Sequence, residues 1–158
     1  MFSPKSNDDT LALPRCVEKS DGAVLNGNDD LFVITGGPIS ILEIVGIVTT
    51  TIGAGTTNVK LTLTTDEPAA TVDMNAGAVD IDADAAGTSY RQINTTAILT
   101  PVTAGFVMKG NAFATNDTQF LCPTGTIKLN SSAARTGNIK WYLRYVPLSP
   151  NSRVKAAA

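Results

Sequence analysis

The chain has no histidine, and its 158 residues include only two cysteines. The first absence removes the commonest general base near neutral pH, the Ser-His-Asp arrangement and most zinc sites. Charge is also scarce: 16% of residues are Asp, Glu, Lys or Arg, against about a quarter in an average soluble domain. A surface short of charge has to be covered by the Thr, Asn, Ser and Ala in which the sequence is rich, and such a surface suits contact with other protein. No segment of ten residues carries the apolar spacing of an amphipathic helix. The first nine residues, Met1 to Asp9, hold neither a basic leader nor an apolar run, so a secretory signal is not expected and synthesis in a cytoplasm is. The longest apolar stretch, Leu31 to Val48, is interrupted by Gly36-Gly37-Pro38 and Glu43, which makes it a poor membrane helix. Without secretion, the acceptor-like triplets at Asn94, Asn116 and Asn130 read as turn chemistry. These absences exclude most enzyme classes, and no catalytic, cofactor-binding or metal-ligating residue is assigned.

What is present is a sizeable apolar fraction, 43%, in a chain long enough to bury roughly 70% of its unfolded surface. Residues 1–30 mix Pro4, Pro14, Asp8-Asp9 and Asn26-Gly27-Asn28-Asp29-Asp30 with short apolar islands, and read as an extended arm that orders against a neighbour. From Leu31 the pattern is that of strands. Leu31 to Thr35 is a β-branched run closed by Gly36-Gly37-Pro38; Ile39 to Thr51 is a second, with Ile39, Ile41, Val45 and Ile47 on one face and Leu42, Ile44 and Val48 on the other, so a strand covered on both sides is expected. Gly53-Ala54-Gly55 reads as a hairpin turn into the alternating Asn58 to Thr64. Alternation recurs at Val79 to Asp84, Thr126 to Asn130 and Asn138 to Val146, with weaker candidates at Ser89 to Ile93, Ala97 to Val102 and Phe106 to Met108. Eight or nine short strands separated by turn signals predict an all-β fold: an antiparallel β-sandwich, jelly-roll-like, over residues 31–148, followed by a flexible C-terminal tail at 149–158.

Charge is sorted along the chain. From Leu61 to Tyr90 there are six acids and no base, and from Thr118 to the end six bases and no acid, so the two stretches are expected to attract one another, within one sheet or across a subunit boundary. The bases are too dispersed, in a protein of net charge −2, to predict nucleic-acid binding. Asp80, Asp82 and Asp84 alternate like the start of a calcium loop, but Ala85 stands where its glycine belongs and Arg91 where its glutamate belongs, which excludes an EF-hand. A looser cation site and a salt-bridged acidic face remain as alternatives for these three carboxylates. Cys16 and Cys122 lack metal-binding spacing; free thiols are expected, the alternative being a link that ties the N-terminal segment to the body. Trp141 belongs to a core-facing alternation, whereas Tyr142, on the opposite face with Lys140 and Arg144, is a candidate contact residue.

Leu31 to Thr50 resembles a segment of small virion proteins of tailed bacteriophages, and Thr136 to Leu148 resembles their closing strand; Val79 to Thr88 also fits the likeness. The resemblance implies a structural component of a phage particle. Within that class it implies a capsid decoration, or cement, protein: a homo-oligomer, expected to be a trimer, on the outside of the virion capsid lattice, bound to the major capsid protein after synthesis in the host bacterial cytoplasm. It carries no cofactor, nucleic-acid or membrane partner. Two alternatives accompany it, a tail or head-fibre component and a host-surface carbohydrate-binding module using Tyr142 and Tyr90.

Overall fold

The computed structural model describes residues 13–20, 24–25, 27–74, 78–92, 107–109 and 118–158. They form antiparallel strands and no helix, as the Val-, Ile- and Thr-rich alternation predicts. The first sheet is built from β1 (Arg15–Ser20), β4 (Ile39–Thr50), β8 (Ser89–Gln92), β9 (Val107–Lys109), β10 (Thr118–Cys122) and β13 (Asn138–Pro147). Its order is β1-β13-β4-β10-β9, with β8 also paired to β4. The second sheet holds β3 (Asn28–Thr35), β5 (Asn58–Thr65), β6 (Ala70–Asp73), β7 (Val79–Asp80), β11 (Gly125–Ser131) and β14 (Arg153–Ala156). Its order is β14-β3-β11-β5-β6, with β7 also on β5. A two-stranded ribbon joins β2 (Val24–Leu25) to β12 (Arg135–Thr136). The inner faces of the two sheets share one core, in which Phe32, Ile34, Leu61, Leu63 and Ile127 of the second sheet meet Ile44, Trp141 and Leu143 of the first. Burial of these side chains contributes on the order of 2 kcal/mol each, the main force holding the sheets together.

Fourteen strands form among the described residues, where alternation picks out eight or nine over residues 31–148. Of the additional strands, β2 and β12 have two residues each, β1, β6 and β14 lie at sheet edges, and β10 runs between β4 and β9. Two boundaries are corrected. Residues 149–158 are not a flexible tail: β14 pairs with β3 through Arg153↔Thr35 to Ala156↔Phe32, and Val154 and Ala157 are buried. Nor is the whole of residues 1–30 an arm, because β1 pairs with β13 over its full length and residues 28–30 begin β3. Lys19 Nζ donates to the Ala157 carbonyl at 2.8 Å, joining the two terminal strands on one side of the sandwich. Residues 1–12 and the strand expected at Ala97 to Val102 lie outside the described residues.

The strand expected to present two alternating apolar faces is instead broken in phase by a bulge. Arg144 opposes Glu43 and Tyr145 opposes Ile41, so Leu42 is the extra residue. Ile39 and Ile41 therefore point inward before it, and Ile44, Gly46 and Val48 after it, while Leu42, Val45 and Ile47 are half-buried on the outer side. Gly46 opposes Trp141, and the indole lies across it: a Cβ at this position would stand 2.6 Å from Trp141 Cζ3. The missing side chain lets the indole reach Tyr90 of β8, with ring centroids 6.5 Å apart. Gly53-Ala54-Gly55 is likewise corrected. It does not close a hairpin but carries the chain from β4 in the first sheet to β5 in the second.

Candidate functional site

Of the sequence candidates, the acidic triplet changes most. Strand β7 ends at Asp80, and the chain turns through Asp82 and Ala83, which has φ 54°, so the three carboxylates do not share a strand face. Each is used locally instead. Asp80 Oδ1 accepts the Thr57 amide at 2.9 Å and the Asp82 amide at 3.1 Å. Asp82 Oδ1 accepts the Gly55 amide at 2.6 Å. The Tyr90 hydroxyl donates to Asp84 Oδ2. Asx-type bonding of this kind fixes loops, and here it ties the 51–57 crossover to the 81–88 loop. Among the described residues no group of three or more His, Cys, Asp or Glu is placed to hold a metal ion. Tyr90 is 6% exposed, and burial, followed by the Asp84 carboxylate, drives its phenol well above the ordinary tyrosine range. It cannot serve as an exposed stacking platform, which corrects that expectation.

Trp141 is buried as expected, and its Nε1 has no hydrogen-bond partner among the described residues. The crevice beside it, bounded by Val59, Leu61, Val79, Tyr90 and Leu129, amounts to about 10 Å³, room for a single water at most. It is a packing defect rather than a ligand site. Cys16 is exposed and Cys122 buried, both free, and burial pushes the Cys122 thiol up to about 12.

The outer faces of the two sheets differ. On the second sheet, polar side chains satisfy one another: Asn130 Nδ2 donates to Thr62 Oγ1 at 2.8 Å, Thr64 and Thr71 hydroxyls lie 3.3 Å apart, Lys128 pairs with Asp30 at 3.1 Å and Lys60 pairs with Asp73. On the first sheet, Glu18 (β1), Tyr142 (β13), Val45 (β4) and Arg91 (β8) form one row across four strands. Lys140 sits beside this row, 5.7 Å from the Tyr142 ring centroid and 2.6 Å from Glu18 Oε1. The Glu18 hydrogen bond holds the Lys140 ammonium above its ordinary value. On the other side of the row, Glu43 is held between two guanidiniums. Arg91 Nε and Nη2 reach its Oε2 at 3.0 and 2.8 Å, and Arg144 Nη1 reaches its Oε1 at 2.6 Å.

The carboxylate of Glu43 is thus 10% exposed while the two arginines remain about half exposed, at 55% and 51%. The Arg144 hydrogen bond, assisted by Arg91 and opposed by burial, holds the Glu43 carboxyl below its ordinary value of 4.5. The cluster has a net charge of +1 and is flanked by Val45, Ile47 and Tyr142, all half-buried. Charge-assisted guanidinium pairs beside an aromatic ring are the composition of an interaction hot spot. Sequence reasoning had singled out Tyr142 with Lys140 and Arg144 but missed Glu43 and Arg91. Neither is near them in the chain, and the bulge at Leu42 is what turns Glu43 to the outer side.

The sorted charge meets in an unexpected way. Among the described ion pairs, none joins an acid of residues 61–90 to a base of residues 118–158. Lys128, Lys140 and Arg144 pair instead with Asp30, Glu18 and Glu43. Comparison with known proteins finds no family, no curated protein and no solved structure that matches the chain.

Proposed function

We propose that this chain is a structural protein of a tailed-bacteriophage particle and, within that class, a capsid decoration protein that binds the outside of the capsid lattice as a homo-oligomer, a trimer, and contacts the major capsid protein. The observation that carries the reading is the convergence of the three segments on which the resemblance rests. Segment 31–50 supplies β3 and β4, and β4 runs beside β13 of segment 136–148 from Thr50↔Asn138 to Ile39↔Pro147. Segment 79–88 is bonded to the same strand and the crossover after it, through Val48 N to Thr88 O at 2.8 Å and Ile52 N to Asp84 O at 3.0 Å. The likeness therefore includes two neighbouring strands of the first sheet, β4 and β13, and the 81–88 loop bonded to β4 and to the crossover after it, with β3 and β7 in the second sheet.

The outer face of the first sheet supports the reading from a second side, since it presents Tyr142, Val45, Ile47 and two half-exposed arginines to a partner. Binding would act by mass action: a protein with affinity only for the assembled shell adds its binding free energy to the stability of that shell. No catalytic role is part of the proposal. The carbohydrate-binding alternative is weakened by the burial of Tyr90, and the tail or head-fibre alternative differs in copy number. Mass-spectrometric quantification of particles purified from the phage that encodes the chain tests the proposal. Copies in the hundreds, scaling with the capsid protein, are expected; a handful per particle selects the fibre alternative, and none at all overturns the proposal.

A further inference from the structure

The Arg91–Glu43–Arg144 cluster retains unspent donors. A guanidinium offers five N–H groups in a fixed fork, and among the described residues Arg91 Nη1 and Arg144 Nε and Nη2 meet no acceptor, Glu43 taking only the remaining contacts. Because Glu43 holds both side chains in place, a further acceptor finds them already ordered, and the entropy cost of recruiting two long side chains is largely absent. The complementary charge lies elsewhere on the same chain. Asp66 and Glu67 are exposed, and neither carboxylate has a hydrogen-bond or ion-pair partner among the described residues. They sit on the turn between β5 and β6, which is pinned by Asp66 N to Thr124 O at 3.0 Å and Ala70 N to Thr65 Oγ1 at 3.1 Å. Within one copy the two cannot meet, since the turn belongs to an edge of the second sheet while the cluster is on the face of the first that points away from it.

From this geometry we infer that the outer face of the first sheet, centred on Arg91, Arg144, Tyr142 and Val45, docks the Asp66–Glu67 turn of a second copy of this chain. The inference rests on the homo-oligomer reading above and assigns its contact. The ordered turn brings two carboxylates to two guanidiniums, and Tyr142 and Val45 exclude water around them. Unlike surfaces are joined, so the contact is heterologous and closes into a ring when the rotation between copies allows. It also fits the finding that, among the described residues, no ion pair joins the acidic stretch to the basic stretch.

The full chain tests this by sedimentation equilibrium. D66K/E67K, two changes at exposed and unpaired positions, is expected to weaken self-association at least tenfold while leaving the thermal melt of the fold unchanged. Cys16 opposes Arg144 on the neighbouring strand and supplies a second readout: Glu67→Cys is expected to form a chain-to-chain disulfide under mild oxidation, lost when Cys16→Ser is added. An oligomer whose association is insensitive to D66K/E67K, and whose Glu67→Cys variant forms no Cys16-dependent link, overturns this interface and leaves the oligomer reading standing. A wild-type chain that stays monomeric overturns both.

Discussion

Three residues decide more of this molecule than their chemistry announces. Gly46 sits in the middle of a strand where glycine is ordinarily a weakness, and the indole of Trp141 fills the space a side chain would take. Gly46→Ala is expected to cost about 1–3 kcal/mol, the range for overpacking a close-packed core, and to disturb the Tyr90 stacking; urea denaturation checks it, and a neutral result would mean the indole has room to move. Glu43 is the second. Its carboxyl is held below the ordinary value when folded, so it contributes stability above that value and loses the contribution as pH falls through the folded one. Glu43→Gln is therefore expected to destabilise by about 1–3 kcal/mol at neutral pH and to converge with the wild type in acid. Denaturation midpoints from pH 7 down to 3 measure the convergence, and a difference that stays constant with pH contradicts it. The third is Cys16, whose exposure contrasts with the burial of Cys122. A thiol reagent is expected to label one sulfhydryl in the native protein and two after unfolding.

At the scale of elements, the long alternating strands were legible and several short or terminal ones were not. Asn58 to Thr64 and Asn138 to Val146 alternate because one face of each is buried, and they appear as β5 and β13 within a residue or two. β14 was not legible, because Arg153 to Ala156 buries little beyond Val154 and is held by its ladder to β3, which any sequence can supply. The same holds for β1, whose sole aliphatic residue is Val17. The bulge at Leu42 leaves no mark in composition, yet it decides that Glu43 faces outward between Arg91 and Arg144. Half of the candidate site was thereby hidden from the sequence, while Tyr142 and Arg144, on an unbroken alternation, were visible. The structure makes a definite claim about the C-terminus. Deleting residues 149–158 removes β14, exposes the β3 edge and frees the buried Tyr145 hydroxyl that accepts the Val154 amide at 3.2 Å. A loss of several kcal/mol is expected from the lost side-chain burial and this broken bond, read as a lowered melting temperature; an unchanged melt would restore the flexible-tail description.

On the scale of the whole molecule, the shortage of charge takes on a structural meaning. Among the described residues five ion pairs tie acids to bases, and Asp66 and Glu67 on one turn and the open side of the Arg91–Arg144 fork stand outside them. One outer face carries self-satisfied polar rows, and the other half-buried aliphatics around a preorganised cationic fork, a composition suited to contact with protein. Under the proposed function, that asymmetry supplies one face for neighbouring protein and one for solvent. The most direct measurement is an image reconstruction of the particle encoded with this chain. The account predicts density for the sandwich in many copies on the outer surface of the shell, with first-sheet faces turned to neighbouring protein; a shell bare of it, or density confined to the tail, would contradict the account.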